Sequence, residues 1–249
     1  MNFSGKVVMV TGGMSGIGAA CVNLFVSHGA SVISLDMAPS VDPRPPQDPH
    51  RLALLQGNVA CAHDVAWAVE VAVERFGHLD IGVNCAGILG ARLPLIDQDD
   101  DALDELFSVN VRGIYLSAKY QLRAMLARGT RGAIINVASV FGLRALETFG
   151  LYSATKHAVI GLTKAAAVEV GPRGIRVNAV APGPVRTPFI GVLAEEAEKV
   201  SASRIPLKRI GEPSDVAAAI AWLASDEACF ITGAIFAVDG GITARMSTG

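Results

Sequence analysis

"KVVMVTGGMSGIG", residues 6–18, is a short apolar run that passes without a break into a cluster of glycines. The run from Lys6 to Thr11 has the length and valine content of a buried strand. The cluster "TGGMSGIG", 11–18, places glycines at 12, 16 and 18, which permits a tight turn and a close approach of backbone to a ligand. A helix opening there offers unpaired N–H groups and the positive end of its dipole to a pyrophosphate. Glycine clusters also serve ordinary turns, so the context decides. A strand leads into this one, and Asp36 ends the next apolar run 18 residues beyond Gly18. Strand, turn, helix and acid in that order form a dinucleotide-binding signature.

Outward from this stretch the same rhythm continues. Apolar runs rich in valine and isoleucine lie at 6–11, 31–36, 51–57, 79–84, 132–138, 175–181 and 234–239. They are almost continuously apolar, as strands covered on both faces are, and not strictly alternating. Between them helical patterns cover 16–28, 62–76, 100–128, 153–170 and 214–225. Alternation of strand and helix predicts an α/β protein, a doubly wound parallel sheet in a single domain. Two segments interrupt it. "MAPSVDPRPPQDPH", 37–50, holds five of the twelve prolines and reads as a loop. The stretch from Pro182 to Pro213 carries prolines at 182, 184, 188, 206 and 213 around a short apolar helical core; a connection so long inside a compact domain is expected to be functional, as a lid is.

Composition bounds the rest. With 249 residues, 51% hydrophobic content and 26 glycines, one domain of this size buries roughly 70 to 75% of its unfolded surface. The 21 basic and 23 acidic residues leave a net charge of −2, which points to neither nucleic acid nor an anionic membrane as partner and favours a small molecule. No apolar run approaches the length of a bilayer span, and "MNFSGKVVMVTGG" lacks the features of a signal peptide, so a cytoplasmic location is expected. Cys21, Cys61, Cys85 and Cys229 have no C-x-x-C spacing and the five histidines no ligand-like pairing, so neither a disulfide framework nor a metal site is expected. The acidic run "DQDDD", 97–101, reads as the amino terminus of a helix, where carboxylates complement the dipole.

"YSATK", 152–156, puts a tyrosine and a lysine at i and i+4, about 5 to 6 Å apart between Cβ atoms on one helical face. A phenol of pKa near 10 needs about 4 kcal/mol to reach the neutral range in which a general acid/base works best. An ammonium about 4 Å away supplies roughly that at an effective dielectric near 20. Lys156 is therefore expected to lower the pKa of Tyr152.

The glycine spacing T-G-x-x-x-G-I-G, "NCAG" at 84–87, Asn110, Ser139, Tyr152, Lys156 and "PGPVRT" at 182–187 together resemble the short-chain dehydrogenase/reductase family, in its branch of single-domain enzymes of about this length. The likeness runs from Lys6 to about Gly241. It implies a Rossmann-type, seven-stranded parallel sheet, a nicotinamide cofactor, and hydride transfer between a secondary alcohol and a ketone. It implies Tyr152 as general acid/base, Lys156 on the nicotinamide ribose, Ser139 orienting the substrate oxygen, and Asn110 holding a water that links Lys156 to solvent. The cofactor is implied against Gly12, Ser15, Gly16, Ile17 and Gly18 at the pyrophosphate, Asp36, Asn58 and Val59 at the adenosine, and Asn84, Ala86 and Gly87 at the adenosine and ribose. Tyr152 and Lys156 also belong to that set, and Pro182, Gly183, Val185 and Thr187 complete it at the carboxamide. Asn58 stands where many relatives have an aspartate, and the proline-rich loop stands where they often have a helix. The family also implies a homotetramer, paired in part through the helix at 157–171, which is apolar on nearly every side. The reading is thus one NAD-binding domain, 1–249, with a substrate lid at about 186–212.

Asp36 decides between cofactors. Its carboxylate can accept from both adenosine ribose hydroxyls, whereas a 2′-phosphate there meets like-charge repulsion on the order of 2 to 4 kcal/mol. Ser15 and Met37 occupy positions that are often basic in NADP-preferring relatives, and only Arg44 lies nearby in sequence, so NAD is expected. The walls of the site are expected from 89–95, 140–149 and the segment after Thr187. Leu89, Leu93, Phe141, Leu143, Leu146, Phe149, Phe189, Ile190 and Leu193 favour a largely apolar alcohol or ketone, with cyclic ones among the options. Arg92, Arg144 and Arg186 leave a carboxylate or phosphate open. The alternatives are a 3-oxoacyl-thioester reductase and, in another class, a dinucleotide-sensing or scaffold protein without turnover.

Overall fold

A computed structural model describes residues 1–38, 50–190 and 195–245. Seven parallel strands form one sheet in the order β3-β2-β1-β4-β5-β6-β7. They are β1 (Val7–Thr11), β2 (Ser31–Asp36), β3 (Leu52–Gln56), β4 (Ile81–Asn84), β5 (Ala133–Val137), β6 (Arg176–Pro182) and β7 (Ile235–Val238). Each matches an apolar run of the sequence to within two residues. In β1, Val8 and Val10 face one core with Val22 and Phe25 of α1 (Gly16–Ser27) and Val216 and Ile220 of α7 (Pro213–Ala224). Val7 and Met9 face a second core with Val65 and Ala68 of α2 (Ala62–Phe76) and Ala167 and Val170 of α5 (Gly150–Val170). Successive side chains of a strand point to opposite faces, so burial on both faces requires apolar residues at every position.

The helix expected over 100–128 is three pieces. α3 (Asp100–Phe107) passes into one wide turn of π geometry, Ser108–Arg112, and then into α4 (Gly113–Arg128). Such a turn is an insertion that periodicity does not reveal, and it falls at Asn110. At the start of α3 the side chain of Asp99 accepts from Asp101 N at 3.1 Å, and Asp100 and Asp101 occupy the first turn, so the acidic run caps a helix. α5 begins at Gly150, three residues before the expected start, which puts Tyr152 in its first turn. In the segment after β6, the helix α6 (Glu195–Arg204) is polar in sequence, "EEAEKVSASR", where an apolar helical core was expected. The proline-rich loop, Arg44 within it, and Leu193 lie outside the described residues, as does the side chain of Ile190.

The strand order reverses between β1 and β4, because β2 and β3 lie on one side of β1 and β4 to β7 on the other. Ligands of such sheets bind beyond the carboxyl ends of the strands at this switch. The glycine cluster after β1, "NCAG" after β4 and Ser139 after β5 all sit there.

Candidate active site

The glycines after β1 are shaped for close approach. Gly12 has φ +71, and a Cβ on it would lie 2.8 Å from the backbone of Ala86; a Cβ on Gly18 would lie 2.0 Å from Gly12 O. Gly16, at φ +51, would bring one to 3.0 Å from Cγ2 of Thr187, so the turn after β1 touches the segment after β6. Ser15 occupies the N-cap position of α1 without a side-chain cap, which leaves N–H groups of the first turn for a ligand. The side chain of Ile17 packs against the core, so its contribution to a ligand is its backbone. Asp36 closes the cradle: its carboxylate accepts from Met14 N at 3.0 Å and from Ala38 N at 3.1 Å. Backbone donors without side-chain caps and glycines that admit close approach are what a pyrophosphate requires.

Two of the expected cofactor residues already hold partners within the fold. The side chain of Asn84 is fully buried: Nδ2 donates to Gln121 Oε1 at 3.1 Å and to Asn136 Oδ1 at 2.9 Å, while Oδ1 accepts from Gln121 Nε2 at 2.9 Å. Every polar atom is satisfied inside the sheet, which leaves only backbone to a nucleotide. Asn58 uses Oδ1 to accept from Ala60 N at 2.8 Å, and its N–H donates to Asp64 at 2.8 Å. The carbonyl keeps a second lone pair. Val59, which is buried, and Gly113 pack closely at the foot of this turn.

The four expected catalytic residues come together at the ends of β5 and α5. Ser139 Oγ accepts from Phe141 N at 3.2 Å, capping a short turn, and lies beside the phenol of Tyr152. Lys156, buried on the same helical face, donates to Val137 O at 3.1 Å, with Nζ 5.5 Å from the centroid of the Tyr152 ring. Asn110 is fully buried, yet it does not bond locally as a mid-helix asparagine usually would. Its amide exchanges two bonds with the backbone of Ile88, both at 2.8 Å, and Nδ2 reaches Thr155 Oγ1 at 3.2 Å. Thr155 in turn donates to Tyr152 O at 2.7 Å. Gly87 joins the two halves of the site, because a Cβ there would lie 3.1 Å from Asn110 Oδ1 and 3.5 Å from Lys156 Nζ.

The titration behaviour corrects one expectation. Burial raises the phenol of Tyr152 above its ordinary value, and only the neighbouring Ser139 hydroxyl acts against that. The same burial lowers Lys156 to about 8 and pushes the neighbouring Cys85 thiol up to about 12. Burial governs the phenol and also disfavours the charged form of Lys156, so the phenol is not drawn toward neutrality. Removing charge from water outweighs the attraction within the pair.

Around Tyr152 the surface is apolar. Phe141 lies 6.1 Å and Phe189 6.0 Å from its ring, and Leu93, Leu143, Leu146 and Phe189 are exposed. Thr148 holds a left-handed φ of +68 immediately before Phe149, a strained conformation for a β-branched residue that turns the chain into α5. Sequence reasoning missed Thr155, Val137 and Gln121. Thr155 and Val137 O act through bonds that only the fold creates, whereas Gly82 carried a faint sign of Gln121: a Cβ there would sit 2.3 Å from Gln121 Oε1.

The chain is similar to known proteins over nearly its whole length. A family model described as enoyl-(acyl carrier protein) reductase matches residues 12–243. The chain is 40% identical over 247 residues to 2,5-dichloro-2,5-cyclohexadiene-1,4-diol dehydrogenase of Sphingobium indicum, covering 98% of this chain and 99% of the relative. It is 42% identical to cis-4-hydroxycyclohexanecarboxylate dehydrogenase of Sinomonas cyclohexanicum, over 97% of this chain and 98% of the relative. The crystal structure of levodione reductase superposes with a TM-score of 0.90 at 33% identity, covering 98% and 100% of the two chains. A structure of ElxO with NADP bound superposes with a TM-score of 0.89 at 33% identity, covering 96% and 99%.

Proposed function

The chain belongs to the short-chain dehydrogenase/reductase family and is an alcohol/ketone oxidoreductase that uses a nicotinamide dinucleotide; from that premise we propose that it interconverts a cyclic, largely apolar secondary alcohol and its ketone, with NAD as cofactor and Tyr152 as the proton-transferring group. The observation that carries this reading is the buried Ser139–Tyr152–Lys156 cluster opening onto apolar residues beside the glycine cradle. Relatives named for six-membered ring alcohols support the substrate class.

When bound, the nicotinamide accepts or supplies the hydride. Ser139 and Tyr152 stand beside each other, and each hydroxyl can donate its proton to a substrate oxygen placed between them. In ketone reduction a raised phenol is protonated at neutral pH and serves as the acid. Lys156, lowered to about 8, is the member of the pair that exchanges its proton near neutrality, and restores it after turnover. Asn110 fixes Ile88 and, through Thr155, the first turn of α5, which holds the tyrosine in register. Gly12 to Gly18 would hold the pyrophosphate and Asp36 the adenosine ribose, with Val185 and Thr187 beside the carboxamide. Arg186 donates to Glu198 and Glu212, tying the start of the 186–212 segment to α6 and α7, which supports its role as a lid.

We also propose a homotetramer in the cytoplasm. Val168 on the outer face of α5 is 79% exposed and Phe230 before β7 is fully exposed, and large apolar side chains so placed on two faces are what subunit contacts cover. Among the described residues no helix is long and apolar enough to cross a membrane. Light scattering at micromolar concentration is expected to give four times the chain mass of 25.8 kDa; a monomer contradicts the assembly. Absorbance at 340 nm with NAD or NADP against a panel of cyclic secondary alcohols tests the activity. Turnover with NAD is expected, and no turnover of any cyclic alcohol with either cofactor would refute the reading.

A further inference from the structure

Three arginines lie in the segments expected to wall the site, Arg92 in 89–95, Arg144 in 140–149 and Arg186 beside Thr187, and they differ in what each already holds. Arg186 is spent on Glu198, at 2.6 Å from NH1 to Oε2, and on Glu212. Arg144 donates to the carbonyls of Thr243 and Arg245. Arg92 has neither a hydrogen bond nor an ion pair among the described residues; its Cζ lies 4.8 Å over the ring of Phe149. Phe149 is itself buried against Tyr152, and its ring is 4.8 Å from that of Phe141, the neighbour of the tyrosine ring.

The placement is built. Gln98 Nε2 donates to Leu93 O at 2.9 Å and to Ala91 O at 3.4 Å, so a single amide holds the backbone on both sides of Arg92. Among the described residues no ion pair joins Arg92 to the acidic run that follows, whose Asp99 caps the amino terminus of α3. A guanidinium lying on an aromatic ring keeps its N–H edges in the plane, where they match the two oxygens of a carboxylate. One such fork balances a single negative charge, whereas a phosphate dianion would retain an unpaired charge against apolar walls.

We propose that Arg92 recognises a carboxylate on the substrate: the ring alcohol or ketone carries an acid group, which pairs with Arg92 while its oxygen faces Tyr152 and Ser139 and its ring lies along Phe149 and Phe141. The inference rests on the reading of the site as an alcohol/ketone oxidoreductase centre. It assigns to Arg92 the choice among cyclic substrates.

The test compares a hydroxycyclohexanecarboxylate with its carboxamide, neutral and of nearly equal shape, in the wild type, Arg92→Gln and Arg92→Lys. The wild type is expected to favour the acid over the amide in kcat/KM by at least about tenfold, mostly through KM. In Arg92→Gln the ratio should fall by roughly 10- to 100-fold, the range of hydrogen bonds to charged groups, with Arg92→Lys between. A wild-type ratio near one, or a ratio that Arg92→Gln leaves unchanged, overturns the proposal. Calorimetry with cyclohexanecarboxylate separates it from the reading beneath it. If neither alcohol is oxidised but the acid binds the wild type and not Arg92→Gln, the carboxylate site stands and the oxidoreductase reading falls. If the acid does not bind the wild type, the carboxylate site falls.

Discussion

Two buried polar clusters lie side by side under β4 and β5, and they do opposite work. In the first, Asn84, Gln121, Asn136 and Thr163 hand hydrogen bonds from strand to helix, ending at Val159 O, and none of the four can ionise at ordinary pH. In the second, Ser139, Tyr152, Lys156, Asn110 and Thr155 are buried as deeply, but two members titrate, and burial moves them in opposite directions. A satisfied neutral network adds rigidity and a unique register. A network containing ionisable groups carries a desolvation penalty at every protonation state but one, and that penalty is what makes it chemically poised. The neutral cluster therefore governs stability and the titrating one governs turnover, and each can be broken separately.

The largest effect should come from Tyr152→Phe, which removes the hydroxyl but leaves the ring among Phe141 and Phe189. A loss of roughly 10²- to 10⁴-fold in kcat is expected, with NAD affinity within a fewfold in a fluorescence titration. Next is the pH dependence of stability. Unfolded Lys156 titrates at its ordinary 10.5 and folded Lys156 at about 8, so between those values the unfolded chain binds a proton that the native chain does not. Stability contributed by this group then rises with pH, by on the order of 3 kcal/mol across the window. Above about pH 10 the raised phenol of Tyr152 reverses the slope. Burial of the Cys21 and Cys85 thiols acts in the opposite sense above about pH 9 in both proteins, so the rise should appear as the difference between denaturant titrations of wild type and Lys156→Met.

Gln121→Leu attacks the other cluster. It keeps the bulk facing Gly82 but strips Asn84 of two hydrogen bonds, so unfolding free energy should fall by about 1 to 3 kcal/mol while kcat per folded molecule changes less than threefold. A parallel loss of activity would join the two clusters into one. The smallest effect expected is on cofactor choice. Asp36→Ala removes both the ribose acceptor and the repulsion of a 2′-phosphate, and the NAD/NADP ratio of kcat/KM should narrow by about tenfold. Equal use of both cofactors by the wild type would show that Asp36 has been given the wrong role, and would direct attention to Arg44.

Most of the frame was legible in the sequence because its physics is local. β1 announces itself by five residues buried on both faces, and the turn that follows by glycines whose Cβ atoms would collide with Ala86 and Gly12. Tyr152 and Lys156 were legible as a pair because helical spacing is enough to place them on one face. What that spacing does not contain is the environment. The direction of the Tyr152 shift depends on the burial of the phenol, which does not lie in the motif. Asn84 belongs to the same motif as Gly87 but faces Gln121, a partner 37 residues away that no pattern indicates. The wide turn at Ser108–Arg112 and the polar character of α6 were hidden for a like reason: one is an inserted residue within an unbroken helical pattern, the other a reading of prolines where charged residues set the surface.

The most direct test of the account follows the transferred hydrogen itself. Cyclohexanol deuterated at its carbinol carbon, or the best alcohol of the panel so labelled, is incubated with the wild type and NAD, and the nicotinamide product is examined by NMR. The account predicts one deuterium at C4 of the reduced ring for each ketone formed, and none above background with Tyr152→Phe. Ketone formed without label on the nicotinamide, or labelled nicotinamide produced as fast by Tyr152→Phe as by the wild type, would contradict it.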